Sequence, residues 1–143
     1  MKKTLFIFLF TCLISSLFIG CDTAQEVNPA NLPDNIYNYI EMHFPDAQIT
    51  SSEIDDDGYE VTLDSGYELE FNGQGDIDKI EALNNQPIPP SCLEENITEY
   101  VENTFPGNYV VEWEDNGVSQ EVKVSNGVEI IFDAGGHFMG YDE

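Results

Sequence analysis

One pattern of residues is written twice in this chain at an unchanging offset, so any fold it adopts must be built from two like units. Leu32, Ile36, Tyr39, Ile40, Phe44 and Pro45 recur as Leu93, Ile97, Tyr100, Val101, Phe105 and Pro106. Further along, Glu60, Val61, Gly66, Glu68, Phe71 and Gly75 recur as Glu121, Val122, Gly127, Glu129, Phe132 and Gly136. Phe44 and Phe105 stand 61 positions apart, and every other pair keeps that spacing without a gap. A fixed period across apolar and glycine positions is the mark of a duplicated supersecondary unit.

Each unit opens on a helical pattern. Leu32, Ile36, Tyr39, Ile40 and Phe44 recur at three- and four-residue steps and build one apolar face. Pro33 suits a first turn, and Pro45 forbids continuation. In the second unit the face is Leu93, Ile97, Val101 and Phe105, with Ser91 and Glu94 spaced as a capping box. The period then falls to two. Tyr59, Val61 and Leu63 alternate with Glu60 and Thr62, and after an Asp64-Ser65-Gly66 turn Tyr67, Leu69 and Phe71 alternate with Glu68 and Glu70. Asn72-Gly73-Gln74-Gly75 marks the next turn and Ile77 to Ile80 a short last strand, with a first strand around Ile49 to Ile54. Val122 and Val124, then Val128, Ile130 and Phe132, repeat the alternation. The expected fold is α+β: two tandem repeats of one helix plus an antiparallel meander, with both helices on one face of a joined sheet. The repeats are expected over residues 32–87 and 88–143.

The N-terminus reads as an export signal. Lys2 and Lys3 precede an apolar run from Leu5 to Ile19, which is short for a span of roughly 20 apolar residues. Leu17-Phe18-Ile19-Gly20-Cys21 resembles the lipobox of bacterial lipoproteins, with Gly20 before the cut and Cys21 taking the lipid. On this reading residues 1–20 are removed, lipid on Cys21 holds the chain on a membrane of the cell envelope, and Asp22 to Asn31 form a polar tether. Cys12 leaves with the signal peptide and Cys21 is acylated, so Cys92 alone remains and no internal disulfide can form.

The charge is one-sided. Beyond the signal the chain keeps two basic residues, Lys79 and Lys123, against 28 acidic ones, a formal balance of 2 − 28 = −26. Nucleic-acid binding needs clustered cations to displace phosphate counterions and is excluded. Electrostatic docking on anionic lipid is excluded for the same reason.

At these residues the chain resembles the PepSY-like family of bacterial lipoproteins, described as similar to the β-lactamase-inhibitor protein. The pattern is Leu-Pro, then Ile-x-x-Tyr-Ile-x-x-x-Phe-Pro, then Tyr-Glu-Val-x-Leu-x-x-Gly-x-Glu-Leu-x-Phe-x-x-x-Gly, running from Leu32 to Gly75. The second copy has Glu94 in place of the early proline and carries His137 and Phe138 at the end of its meander. The resemblance implies tandem helix-plus-sheet units and, by analogy, protein binding through the open sheet face.

No catalytic constellation is legible. His43 and His137 are far apart in sequence, and neither stands in a Ser-His-Asp order or beside a nucleophile elbow. Cys92 is expected as a small buried residue in the first helical turn. The two histidines and the cysteine lack zinc-ligand spacing. Glu53-x-Asp55-x-Asp57-Gly58, ending at Asp64, imitates a calcium loop, but strands flank it and its end residues are exchanged. It reads as an acidic hairpin turn with calcium affinity no tighter than on the order of 0.1–1 mM. No cofactor is implied.

The outer face of the sheet carries the sharpest functional expectation. Strict alternation puts Gln48, Thr50, Ser52, Glu60, Thr62, Glu68 and Glu70 there in the first repeat, and Tyr109, Val111, Trp113, Glu121, Lys123, Glu129 and Ile131 in the second. Tyr109, Val111, Trp113 and Ile131 would then form an apolar patch inside an acidic rim, a combination typical of partner sites. The expected role is non-catalytic protein binding or inhibition at the cell envelope. The alternative is a calcium-responsive or purely structural envelope lipoprotein.

Overall fold

The structure is a computed structural model that describes residues 24–142. The signal peptide and Cys21 lie outside the described residues. Nine strands form one sheet in sequence order, every neighbouring pair antiparallel. A two-residue strand β1 (Gln25–Glu26) precedes helix α1 (Asp34–His43) and the meander β2 (Ile49–Ile54), β3 (Gly58–Leu63), β4 (Tyr67–Asn72) and β5 (Ile77–Ala82). Helix α2 (Glu95–Thr104) then precedes β6 (Val110–Asp115), β7 (Ser119–Val124), β8 (Glu129–Asp133) and β9 (Phe138–Tyr141). The expected α+β architecture, with two helix-plus-meander units joined in one sheet, is the one observed. The joint is the β5–β6 pair, where Lys79, Ile80 and Glu81 face Glu114, Trp113 and Glu112.

Both helices bury the stripe that their periodicity marks. Ile36 and Ile40 from α1, and Ile97 and Val101 from α2, join Val61, Leu69, Phe71, Ile80, Val122, Ile130 and Phe132 in one continuous core. The duplication extends to single contacts. Tyr39 meets Phe71 edge-on at 5.7 Å, and Tyr100 meets Phe132 edge-on at 5.4 Å. Asn35 donates its side-chain amide to Gln74 O at 2.7 Å, and Asn96 to Gly135 O at 2.9 Å. These bonds hold each helix start against the following hairpin. Gly75 and Gly136 sit beside them at φ 81° and 75°, where a Cβ would meet the Asn35 amide or the side chains of Glu94 and Ile97.

Three local expectations are corrected. The polar tether is partly folded: β1 pairs with β2, Val27 packs on the core, and Pro29–Asn31 form a short turn of 3-10 helix. The Ser91–Glu94 capping box does not form, because Pro90–Cys92 are a separate 3-10 turn and α2 starts later, at Glu95. Cys92 therefore lies in that turn, half-buried, rather than within the helix.

Candidate functional site

With both helices on one side, the other face of the sheet is left bare, and strand register fixes which side chains it carries. One row across the sheet runs Ser51, Thr62, Glu68, Glu81, Glu112, Lys123, Glu129. The adjacent row runs Glu53, Glu60, Glu70, Lys79, Glu114, Glu121, Ile131, Gly140. Directly opposed residues have Cβ atoms about 4.5–5.5 Å apart, close enough for like charges to repel.

The two lysines are placed inside this field. The Lys79 ammonium lies 3.2 Å from Glu70, 3.7 Å from Glu112 and 4.0 Å from Glu81, so one cation bridges β4, β5 and β6 at the joint between repeats. Burial works against that charge, but Glu70, then Glu112 and Glu81, outweigh it and raise the lysine pKa. Lys123 pairs with Glu129 at 2.9 Å. Around them the carboxylates are strained electrostatically. Glu60 is held above the usual carboxylate range by partial burial and then by Glu68, Glu53, Glu70 and Asp55. Glu68 is raised by burial, then by Glu81 and Glu70, with Lys79 pulling the other way. Asp78 is raised by burial and by Asp115, Asp76, Glu70 and Glu114.

The apolar patch expected on this face is not there. Trp113 is 7% exposed and belongs to the core. Its indole Nε1 donates to Gln120 Oε1 at 2.7 Å, and Gln120 in turn donates to the carbonyls of Asp133 and Ala134. Val111 is buried at 8% exposure. The cause is a β-bulge. Val110 faces Val124 and Glu112 faces Lys123, leaving Val111 as the extra residue and turning Trp113 onto the helix side. The first repeat has the same bulge at Thr50, so Ser52 also points inward, 2% exposed, and donates to Val27 O at 2.8 Å. Tyr109 is exposed, but it lines a groove of about 310 Å³ with Pro87, Ile88, Leu93 and Val101 of the helix side, and its hydroxyl donates to Asn85 O. Ile131 alone of the four stands in an open-face row, half-buried. The structure thus does not bring Tyr109, Val111, Trp113 and Ile131 together on one surface. A signal was present: Val110 and Trp113 are both apolar and three apart, a spacing that strict alternation cannot place on one face without an extra residue.

The remaining candidate groups have structural partners. His43 Nδ1 is 2.9 Å from Ser91 Oγ and its ring lies 4.4 Å from Tyr39, tying α1 to the turn that opens the second repeat. Burial lowers the His43 pKa and favours the neutral imidazole. The Cys92 thiol is pushed up to about 11 by burial, against hydrogen bonds from Tyr39 and Ser91 that pull it down. A thiol is a nucleophile only as its thiolate, and burial disfavours that form of Cys92. His137 bonds to Asp133 at 3.1 Å in the β8–β9 turn. In the calcium-loop imitation the Asp55 carboxylate accepts from the backbone N–H groups of Asp57 and Gly58, closing its own turn. Among the described residues no group of three or more His, Cys, Asp or Glu side chains is arranged to hold a metal ion. No helix among the described residues is long and apolar enough to cross a membrane.

Comparison with known proteins agrees with this architecture. Two overlapping segments, residues 21–79 and 57–140, match the family described as "Putative beta-lactamase-inhibitor-like, PepSY-like". The chain belongs to this PepSY-like family. The two matches are consistent with tandem units. Three solved structures share the PepSY-like chain's fold. A Bacteroides vulgatus protein described as periplasmic and of unknown function is 27% identical, with TM-score 0.77, covering 85% of this chain and 100% of its own. Another from the same organism, described as periplasmic, is 26% identical, with TM-score 0.77, covering 87% and 100%. A Bacteroides thetaiotaomicron protein described as a "putative calcium-regulated periplasmic protein" is 23% identical, with TM-score 0.76, covering 84% and 97%. At that identity the likeness is one of fold. No curated protein matches the chain.

Proposed function

We propose that this PepSY-like chain is a lipoprotein of the bacterial cell envelope, anchored through Cys21, that binds a basic protein segment without catalysis through the open face of its sheet. The observation that carries the reading is the face itself: two in-register rows bring nine carboxylates together from seven strands, with Lys79 and Lys123 the only cations in those rows. Apolar anchors are absent from most of it, so recognition rests on charge. A field of one sign steers an oppositely charged partner and rejects like-charged ones. Carboxylates held above their usual pKa by partial burial and then by mutual repulsion gain when a cation arrives, because that cation relieves several neighbours at once. The periplasmic description of the similar structures supports an envelope location.

A second reading, calcium response, is favoured by one feature. A recess of about 120 Å³ at the end of β3–β5 is lined by Asp55, Asp57, Glu60, Glu70 and Asp78. The first reading is preferred because the Asp55 carboxylate is already committed to its turn.

Photo-crosslinking in intact cells tests the proposal. Crosslinkers at Glu60 and Glu121 are expected to give a protein adduct whose yield falls when salt is raised before irradiation, whereas crosslinkers at Met42 and Glu99 on the helices give none. Cys21→Ala should release the chain from membranes. Adducts only from the helix positions would overturn the open-face reading, and membrane retention of Cys21→Ala would overturn the anchor.

A further inference from the structure

The internal repeat shows what each strand edge is built to meet, and one edge is left without its counterpart. In the first repeat the outer edge of β5 is paired with β6. The matching strand of the second repeat, β9, pairs with β8 on one side and with no described strand on the other. An unpaired edge presents a row of free backbone donors and acceptors, a template for an added strand.

The side chains of β9 carry the same unfinished look. Ile80 is fully buried, and Trp113 of β6 lies directly opposite it. Its counterpart, Tyr141, is 49% exposed, and Phe138 beside it is 42% exposed. They gather with Tyr100 into an aromatic cluster on the helix side of the edge: Phe138 stacks on Tyr100 at 4.8 Å and lies 5.2 Å from Tyr141, whose hydroxyl is 3.1 Å from that of Tyr100. On the open face the charge is also unbalanced. At the β5 edge, Lys79 sets one positive charge among Glu70, Glu81 and Glu112. The matching residue of β9 is Gly140, which supplies no cation. Next to it a recess of about 130 Å³ is lined by Glu112, Glu114, Glu121, Glu129 and Asp142, with Lys123 the one cation.

We infer that β9 receives an extended strand from another protein, with an aromatic or aliphatic residue over Tyr141 and basic residues directed into the Glu129–Asp142 side. This rests on the protein-binding reading above and names its edge and chemistry. A second copy of this chain fits less well. Its net charge of the same sign repels, and its β2, which is the repeat equivalent of β6, is already covered by β1.

The test uses the chain from Asp22 onward and a peptide of Val110–Asp115 carrying Glu112→Lys, Glu114→Lys and Asp115→Lys. This peptide copies the strand that β5 accepts and supplies the missing cations. Binding by fluorescence anisotropy is expected, with slowed amide exchange confined to residues 139–142. The unsubstituted acidic peptide should bind at least about tenfold more weakly, as should the lysine peptide to Tyr141→Asp, the scale of a lost interface anchor. Trp113 fluorescence verifies that Tyr141→Asp is folded. Glu41→Gln, exposed on α1 and remote from both the open face and β9, should bind the peptide normally. If the peptide instead protects β3 and β4 and is lost in Glu60→Gln/Glu70→Gln, the edge inference fails while the open-face reading stands. No binding at all, or concentration-dependent dimers that protect β9 without peptide, would also overturn the edge inference.

Discussion

Replacing Trp113 by alanine removes the largest side chain of β6 from the core and strands the carboxamide that it holds. The indole packs beside Ile80 and Val122, its cross-strand partners, and donates to Gln120. Large-to-small changes of this kind cost about 3–5 kcal/mol, and the unpartnered Gln120 oxygen adds to the loss. Urea unfolding followed by circular dichroism should therefore show a drop of that size for Trp113→Ala. In the unsubstituted protein, emission from this single tryptophan should be blue-shifted and protected from acrylamide. Red-shifted, quencher-accessible emission from the native monomer would place the residue outside the core and refute the packing. The exchange of Ser52 for Trp113 between repeats has a packing cause. At Ser52 the N-terminal segment covers the strand through Val27, whereas β6 has β5 as its neighbour and fills the space with its own side chain.

Among the elements, the helices and the hairpin strands were legible because each shows one period without interruption. Ile36, Ile40, Ile97 and Val101 are buried as their spacing requires, and Val61, Leu63, Leu69 and Phe71 likewise. The face of β2 and β6 was not legible from alternation, because one bulged residue in each, Thr50 and Val111, reverses everything that follows. Strand β1 was hidden for a different reason: two polar residues carry no period, and their pairing is dictated by the bare edge of β2. That edge gives a prediction for the element. Val27 packs on the core, its N–H donates to Ser52 O, and its carbonyl accepts from Ser52 Oγ. A chain starting at Asn28 loses these contacts and should be less stable by about 2 kcal/mol, the sum of a partly buried valine and two net hydrogen bonds. Amide exchange in β2 should quicken with it. An unchanged urea midpoint and unchanged β2 exchange would show that β1 contributes nothing.

At the scale of the whole molecule the dominant quantity is the surplus of negative charge, and it makes a signed prediction for stability against pH. Glu60, Glu68 and Asp78 have native pKa values raised above 4.5, 4.5 and 3.8, first by burial and then by neighbouring carboxylates. An acid with a raised native pKa binds its proton more readily folded than unfolded, so stability rises as pH falls through that native value. Two groups act the other way. His43 is lowered from 6.5 by burial, so its contribution is present above 6.5 and is lost as pH falls through the native value. Asp133, lowered from 3.8 chiefly by the His137 backbone N–H, gives up its contribution only below 3.8. As pH falls from neutrality toward the carboxylate range the acidic face therefore opposes one histidine, and the three raised carboxylates, aided by general relief of self-repulsion, are expected to prevail. The melting temperature should be higher at about pH 5 than at about pH 7, and added salt should narrow the gap by raising the neutral value, since screening acts on the same repulsion. Glu60→Gln/Glu68→Gln should raise the neutral melting temperature and flatten the pH dependence. A melting temperature that falls steadily from pH 7 to 5 in the unsubstituted chain would mean that the histidine outweighs the sheet face, and that the carboxylate rows store no repulsion for a basic partner to relieve.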